Sequence, residues 1–315
     1  MFSIFEHIIK EQGFVIIDGA LATELEARGA DLNHPLWSAK ILTEDPAMIK
    51  QVNLDYLNAG ANVIATASYQ ASFMGYERQG YSREVAIKLM QLSVELAIEA
   101  RETFLLSGEN KMNQSPLVAA SLGPYGAALA DGSEYRGYSN VSVDELMAFH
   151  HDRLLVMIDT NADMLAFETI PCLDEAIAIK KLLQQHSSKK AWVSFSCKDG
   201  MHLCSGELFE DAVKALTDSE EIIGIGVNCT APQYIESLIK IAKPLTSKTI
   251  LVYPNKGETY NPVNKKWEAS DNCDSDFIEN AIAWLSAGAN AIGGCCRTTP
   301  LDIKQLSNLI NKIDL

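Results

Sequence analysis

Eight short runs of β-branched and apolar residues recur along the chain, at 14–18, 62–66, 117–121, 164–168, 192–197, 223–229, 249–255 and 289–296. Most are continuous rather than alternating, the pattern of parallel strands covered on both faces. Helical periodicity fills the gaps between them. In 142–160, Leu146, Phe149, Leu154, Met157 and Ile158 fall near 3.6-residue spacing, and Ser142 with Glu145 supplies a capping box. The stretch 82–103 repeats the pattern through Val85, Leu89, Leu92 and Leu96. Pro46 and Pro300 stand where first-turn prolines are tolerated, with Thr299 an N-cap for the last helix. Strand and helix alternating eight times predict an α/β fold, a single (β/α)8 TIM-type barrel over residues 1–315. A doubly wound open sheet also alternates, but no glycine-rich dinucleotide fingerprint follows the first strand. The polar stretch 107–115 reads as a surface loop.

Composition narrows the partners. At 47% hydrophobic and 21% charged, the chain matches a globular domain with ample core material. A net charge of −15 argues against nucleic acid, which needs clustered Lys and Arg. The first residues carry both charge signs and no long apolar core, so neither a signal peptide nor a bilayer span of about 18 apolar residues is expected. Seven cysteines without a secretion signal point to a reducing cytoplasm, where thiols bind metal or stay buried.

In a barrel the chemistry gathers where the strands end. Those ends read Asp18, Thr66, Ser121, Glu168, Cys197, Cys229, Asn255 and the pair Cys295–Cys296. Cys229, Cys295 and Cys296 form the sharpest constellation, because three thiolates make a zinc site with one position open to substrate. Strands six and eight flank strand seven, so their ends can converge. Adjacent residues in a regular strand face opposite ways, so Cys295 and Cys296 share an ion only if the chain leaves the strand, which Gly293 and Gly294 permit. Taken by themselves the three residues are equally ordinary buried thiols. Cys197, His202 and Cys204 offer a second ligand set, against which stands the stronger reading of packing or loop residues, and His150 and His151 read as helix-surface or packing residues. Lys198 and Lys256 follow strand ends and raise Schiff-base chemistry, against which stands a solvated lysine. Asp18 is either an acid–base or ammonium-binding group or an Asx-turn before Gly19, and Glu168 either such a group or a cap ahead of Pro171. The loop 130–140, with Tyr135, Arg136 and Tyr138 among glycines, has the make-up of a lid or of a plain surface loop.

At these strand ends the chain resembles the homocysteine S-methyltransferase family. The matching stretches are IIDGALATELEARG, ANVIATASYQAS, ASLGPYGAALADGSEYRG, FETIPCLDEA, VNCTAP, VYPNKGETY and GGCCRTTP, which run from residue 16 to residue 300. The GPYGAALADGSEYRG loop is similar to that of the bacterial and plant enzymes using S-methylmethionine, with Tyr138 where their pattern has Asp. The resemblance implies zinc on Cys229, Cys295 and Cys296. It also implies that Asp18 and Glu168 hold the homocysteine amino group, with Ala20 replacing a second turn glycine and the backbone at Gly19 left open. Tyr69 matches an aromatic beside the metal.

The chemistry implied by the resemblance is a methyl transfer. A free thiol has a pKa of about 8.5, so little is thiolate at neutral pH, and zinc deprotonates it. The implied donor is a sulfonium, S-methylmethionine or S-adenosylmethionine, and a water-poor mouth favours loss of the reacting charges. No general base is needed. A betaine-dependent relative carries a longer C-terminal arm than a chain ending at Leu315 provides. A non-catalytic zinc- or thiol-binding module and a lysine aldolase are the readings from other classes. Oligomeric state is not legible.

Overall fold

The computed structural model describes residues 4–108, 115–186, 188–257, 259–261, 266–268 and 277–310. Eight parallel strands form its centre: β1 (Val15–Ile16), β2 (Val63–Ala65), β3 (Leu117–Leu122), β4 (Met164–Ile170), β5 (Ala191–Phe195), β6 (Ile222–Asn228), β7 (Thr249–Tyr253) and β8 (Ala291–Ile292). Each pairs with its sequence neighbour, and β8 returns to pair with β1. A bridge between Ile17 and Val63 joins β1 to β2 and closes the ring. The fold is a (β/α)8 barrel. A short antiparallel ribbon, Thr259–Asn261 with Lys266–Glu268, lies between β7 and β8 in sequence.

Two apolar layers hold the barrel, and the two-residue period of the strands sorts residues between them. Ile16, Ile64, Val118, Leu165, Phe167, Val193, Ile225 and Val252 face outward into the helices. Val15, Ile17, Val63, Leu117, Ala119, Met164, Ala166, Trp192 and Leu251 face inward. Phe5 and Ile8, on the helix Ile4–Gln12, join this inner layer, and the Phe5 ring lies 6.0 Å from that of Trp192. Gly224 and Gly226 make room for it. A Cβ on Gly224 would stand 2.7 Å from Leu251 Cδ2, and one on Gly226 would meet the Leu251 carbonyl.

The helices follow the predicted caps. Val143–Ile158 begins with the reciprocal Ser142–Glu145 box, and Arg83–Leu106 starts from a Ser82 cap. Pro46 opens Pro46–Ala59 after Asp45, whose side chain caps Met48 N, and Pro300 opens Pro300–Ile310. The surface loop expected at 107–115 falls largely outside the described residues. Strand boundaries differ from the apolar runs in one systematic way. Of the polar residues read as strand ends, only Ser121 and Glu168 lie within their strands; Asp18, Thr66, Cys197, Cys229, Asn255 and the pair Cys295–Cys296 lie beyond the paired segments.

Candidate active site: three thiols and two acids at the barrel mouth

The strand ends bring Cys229, Cys295 and Cys296 together, with all three sulfurs within 4.8 Å of one another. Cys229 follows β6 directly and takes a left-handed backbone, φ 47°, which a non-glycine residue adopts only when its surroundings hold it there. Its N–H donates to the Tyr253 carbonyl at 3.3 Å, so β7 fixes it. After β8 the chain leaves the sheet through Gly293 and Gly294, whose N–H groups donate to the carbonyls of Val252 and Asp18 at 3.0 Å. A Cβ on Gly294 would stand 2.2 Å from Thr298 Oγ1. Thr298 in turn donates to the Cys295 carbonyl at 2.6 Å and pins the turn. Both neighbouring cysteines thereby reach the same side.

The spacing suits an ion. Cys229 Sγ is 3.8 Å from Cys296 Sγ, and Cys295 Sγ is 4.0 Å from Cys296 Sγ. Tetrahedral zinc with Zn–S of about 2.3 Å requires sulfurs about 3.8 Å apart. Three clustered thiols also share protons unevenly. Hydrogen bonds from Cys295 and Cys296, and then from Tyr135 and Thr169, pull the Cys229 thiol well below its ordinary range. Their hydrogen bonds to Cys229, then burial and the Cys229 charge, push the other two up. A cation among them removes that conflict, and a soft, thiolate-binding ion fits the donor set.

Beside the thiols stand two acids. Glu168 lies inside β4, two residues past Ala166 and on the same inward face. Ser121 Oγ donates to it from β3, and the Tyr253 hydroxyl hydrogen-bonds it from β7. Burial pushes its carboxyl up to about 7, against those two hydrogen bonds. Asp18 accepts the Ala65 N–H at 2.7 Å, so it links β1 to β2 and makes no Asx-turn. Burial raises its pKa, and the nearby Glu168 charge adds to the rise. Among the described residues, no lysine or arginine shifts either acid.

Gly19 sits under Tyr56: a Cβ there would lie 2.8 Å from the Tyr56 ring. Tyr69 packs edge-on against Trp37 at 6.1 Å, and its hydroxyl meets Thr169 within the field of Cys229 and Cys295. Thr169, at φ 62°, is clamped by Asn228, which accepts its N–H at 2.7 Å and donates to its hydroxyl at 2.8 Å.

The loop 130–140 is folded over this cluster. Its turn Ser133–Tyr135 sends the Tyr135 hydroxyl to 3.8 Å from Cys229 Sγ. Tyr138 donates to the buried Glu175, which also accepts Tyr125 N and meets His150 Nε2 at 2.8 Å. His150 is therefore a buried packing residue, while His151 is half-exposed. Lys256 Nζ is held in an ion pair with Asp302 at 2.9 Å. Cys197 and Cys204 flank a loop bridge and hold no metal cluster among the described residues. Sequence reasoning missed Tyr253, Asn228, Thr169 and Glu134. Only inward strand parity, counted from Leu251 on β7 and from Gly226 on β6, could have signalled the first two.

Comparison with known proteins places this geometry. The homocysteine S-methyltransferase family profile matches residues 15–310. Homocysteine S-methyltransferase YbgG of Bacillus subtilis is 48% identical over 303 residues, covering 96% of each chain. A selenocysteine Se-methyltransferase of Brassica oleracea is 45% identical, covering 97% of this chain and 91% of its own. The metallated form of the homocysteine methyltransferase MmuM from Escherichia coli superposes with a TM-score of 0.86 at 40% identity, covering 97% of this chain and 99% of its own. The chain belongs to the homocysteine S-methyltransferase family.

Proposed function

We propose that this family member moves a methyl group from a sulfonium donor to the thiol of L-homocysteine, forming methionine, with zinc held by Cys229, Cys295 and Cys296. The observation that carries the reading is the convergence of three thiols from the ends of β6 and β8 beside two acids that have no cationic partner among the described residues. Zinc bound there supplies an open position at which the substrate thiol loses its proton at neutral pH.

The remaining work falls to the chain. Asp18 and Glu168 receive the homocysteine ammonium, which gives both carboxylates the counter-charge their burial demands. The backbone at Gly19 meets the other end of the amino acid, and Tyr69 walls the site beside the thiols. Ser121 and Tyr253 aim Glu168. The loop carrying Tyr135 excludes water, so the loss of opposite charges on transfer is not opposed by solvation. Homocysteine sulfur attacks the methyl carbon in line. The new S–C bond forms as the donor's S–CH3 bond breaks, and the bonding pair stays on the donor sulfur, which leaves as a neutral thioether. The thiol proton goes to solvent.

The loop GPYGAALADGSEYRG favours S-methylmethionine over S-adenosylmethionine, and the likeness to a selenocysteine methyltransferase brings selenol acceptors within the same chemistry. The whole chain, 1–315, acts as one catalytic barrel on small molecules in the cytoplasm, without nucleic acid or membrane; no described helix is long and apolar enough to cross a bilayer. A chelator-controlled assay for methionine, with each donor supplied separately and zinc quantified, tests the reading. Zinc-dependent turnover with S-methylmethionine is expected. A zinc-loaded protein inactive with every donor would make it a binding module.

A further inference from the structure

One carboxylate at the mouth, with an oxygen shut off from solvent, has no role in the chemistry above. Glu134 lies in the turn Ser133–Tyr135, immediately before the tyrosine that reaches Cys229. Its backbone is held firmly: Ser196 Oγ donates to its carbonyl at 2.8 Å, and a Cβ on Gly126 would stand 2.7 Å from its nitrogen. From there the side chain enters the site. Its Oε2 is shut off from solvent and has no hydrogen-bond partner. The carboxylate acts on Tyr69 more strongly than any other charge does, and its field also reaches Tyr135 and Cys204. Arg136, two residues on, is exposed, gives its hydrogen bond to the Asp131 carbonyl and reaches the Glu134 carboxylate only through its charge.

A buried carboxylate oxygen without a donor is costly to keep, so a site that retains one is built for a ligand that supplies the donor. Asp18 and Glu168 flank the thiols from the strands, whereas Glu134 flanks them from the loop. We propose that Glu134 receives the α-ammonium group of the methyl donor. This rests on the sulfonium-donor reading and adds a second ammonium site to it.

The alternative target on the same donor is the sulfonium, and transition-state logic argues against it. An anion against the sulfonium stabilises a charge that disappears during transfer, which raises the barrier. An anion against the ammonium meets the same charge before and after transfer. Such a contact lowers the donor KM and leaves kcat alone. S-methylmethionine and S-adenosylmethionine carry that ammonium at the same distance from sulfur, so Glu134 selects amino-acid sulfoniums as a class.

The test compares S-methylmethionine with its desamino analogue, 4-(dimethylsulfonio)butanoate, on the zinc-loaded protein and on Glu134→Gln. Binding is read by calorimetry, and KM and kcat at saturating homocysteine. The unaltered protein is expected to bind S-methylmethionine at least about tenfold more tightly than the analogue. Glu134→Gln raises the S-methylmethionine KM about 30-fold, while kcat, zinc content, homocysteine KM and the analogue's KM hold. Equal loss for both donors would reduce Glu134 to a structural role, and no loss would remove it from the site. The analogue comparison on the unaltered protein decides the point even if the variant fails to fold. Should no sulfonium yield methionine, the functional reading fails. Calorimetry then still decides Glu134, and absence of an ammonium-dependent preference overturns it.

Discussion

The Tyr135 hydroxyl stands 3.8 Å from Cys229 Sγ, a contact made across 94 residues of sequence. It ties the loop above the barrel to the β6 thiol. Because burial and the Cys229 charge hold the tyrosine protonated, its O–H is a donor to that sulfur at any physiological pH. A hydrogen bond to a ligating sulfur orients it and spreads its charge, the kind of outer contact whose loss weakens metal binding between about 10- and 100-fold. Tyr135→Phe is therefore expected to lower zinc affinity by about tenfold in a competition titration against a chromophoric chelator, with the barrel intact. Unchanged affinity would show that the contact merely parks the loop.

Removing a sulfur is a larger change. Cys229→Ala, Cys295→Ala and Cys296→Ala each leave two of the three proposed ligands, too few for tight zinc, and each is expected to lose both bound zinc and methionine formation. The barrel does not depend on these residues, since its two apolar layers are built without Cys229 or Cys296 and only border Cys295. Circular dichroism and the thermal midpoint should stay close to those of the parent. Full turnover by a zinc-free triple variant would sink the mechanism.

Glu168 yields a mutational and a pH prediction. Glu168→Gln keeps the Ser121 and Tyr253 hydrogen bonds within reach but removes the charge, so the homocysteine KM should rise about 30-fold or more while zinc stays bound. With its carboxyl pushed up to about 7, Glu168 becomes neutral as pH falls below that value and loses its hold on an ammonium. The gap in homocysteine KM between parent and Glu168→Gln should thus be widest near pH 8 and narrow towards pH 6. Stability runs the other way. An acid whose pKa is raised on folding favours the ligand-free fold below its unfolded value and loses that increment as pH rises through about 7. A KM gap independent of pH would remove the charged role.

Much of this was visible in the residues, for identifiable reasons. Parallel strands covered on both faces need continuous apolar runs, so all eight could be found. Cys295 and Cys296 raised the question of how neighbours reach the same side, and Gly293–Gly294 answered it. Less accessible were contacts that depend on register between strands. The meeting of Ser121 with Glu168, or of Asn228 with Thr169, follows from how far β3 and β6 slide along their neighbours, which no single strand encodes. Tyr253 looked like one more apolar residue until its position above Leu251 turned it towards Glu168. Glu134 sat in a glycine-rich loop, where composition says nothing of which side chain points inward.

Gly294 tests whether the turn after β8 builds the metal site or merely accompanies it. An alanine Cβ at this position would fall 2.2 Å from Thr298 Oγ1 and 2.4 Å from its Cβ, far inside contact distance. Thr298 cannot retreat freely, because its hydroxyl holds the Cys295 carbonyl at 2.6 Å and its own carbonyl accepts the Tyr56 hydroxyl at 3.2 Å. Relief must come from displacement of the turn that aims Cys295 and Cys296. Gly294→Ala is expected to cost about 1–3 kcal/mol in urea unfolding, the usual range for forced overpacking. It should also weaken zinc binding by at least about tenfold, on the order of the loss from a disturbed ligand shell. A variant that loses stability but binds zinc as tightly as the parent would mean that the two cysteines find the ion without the turn.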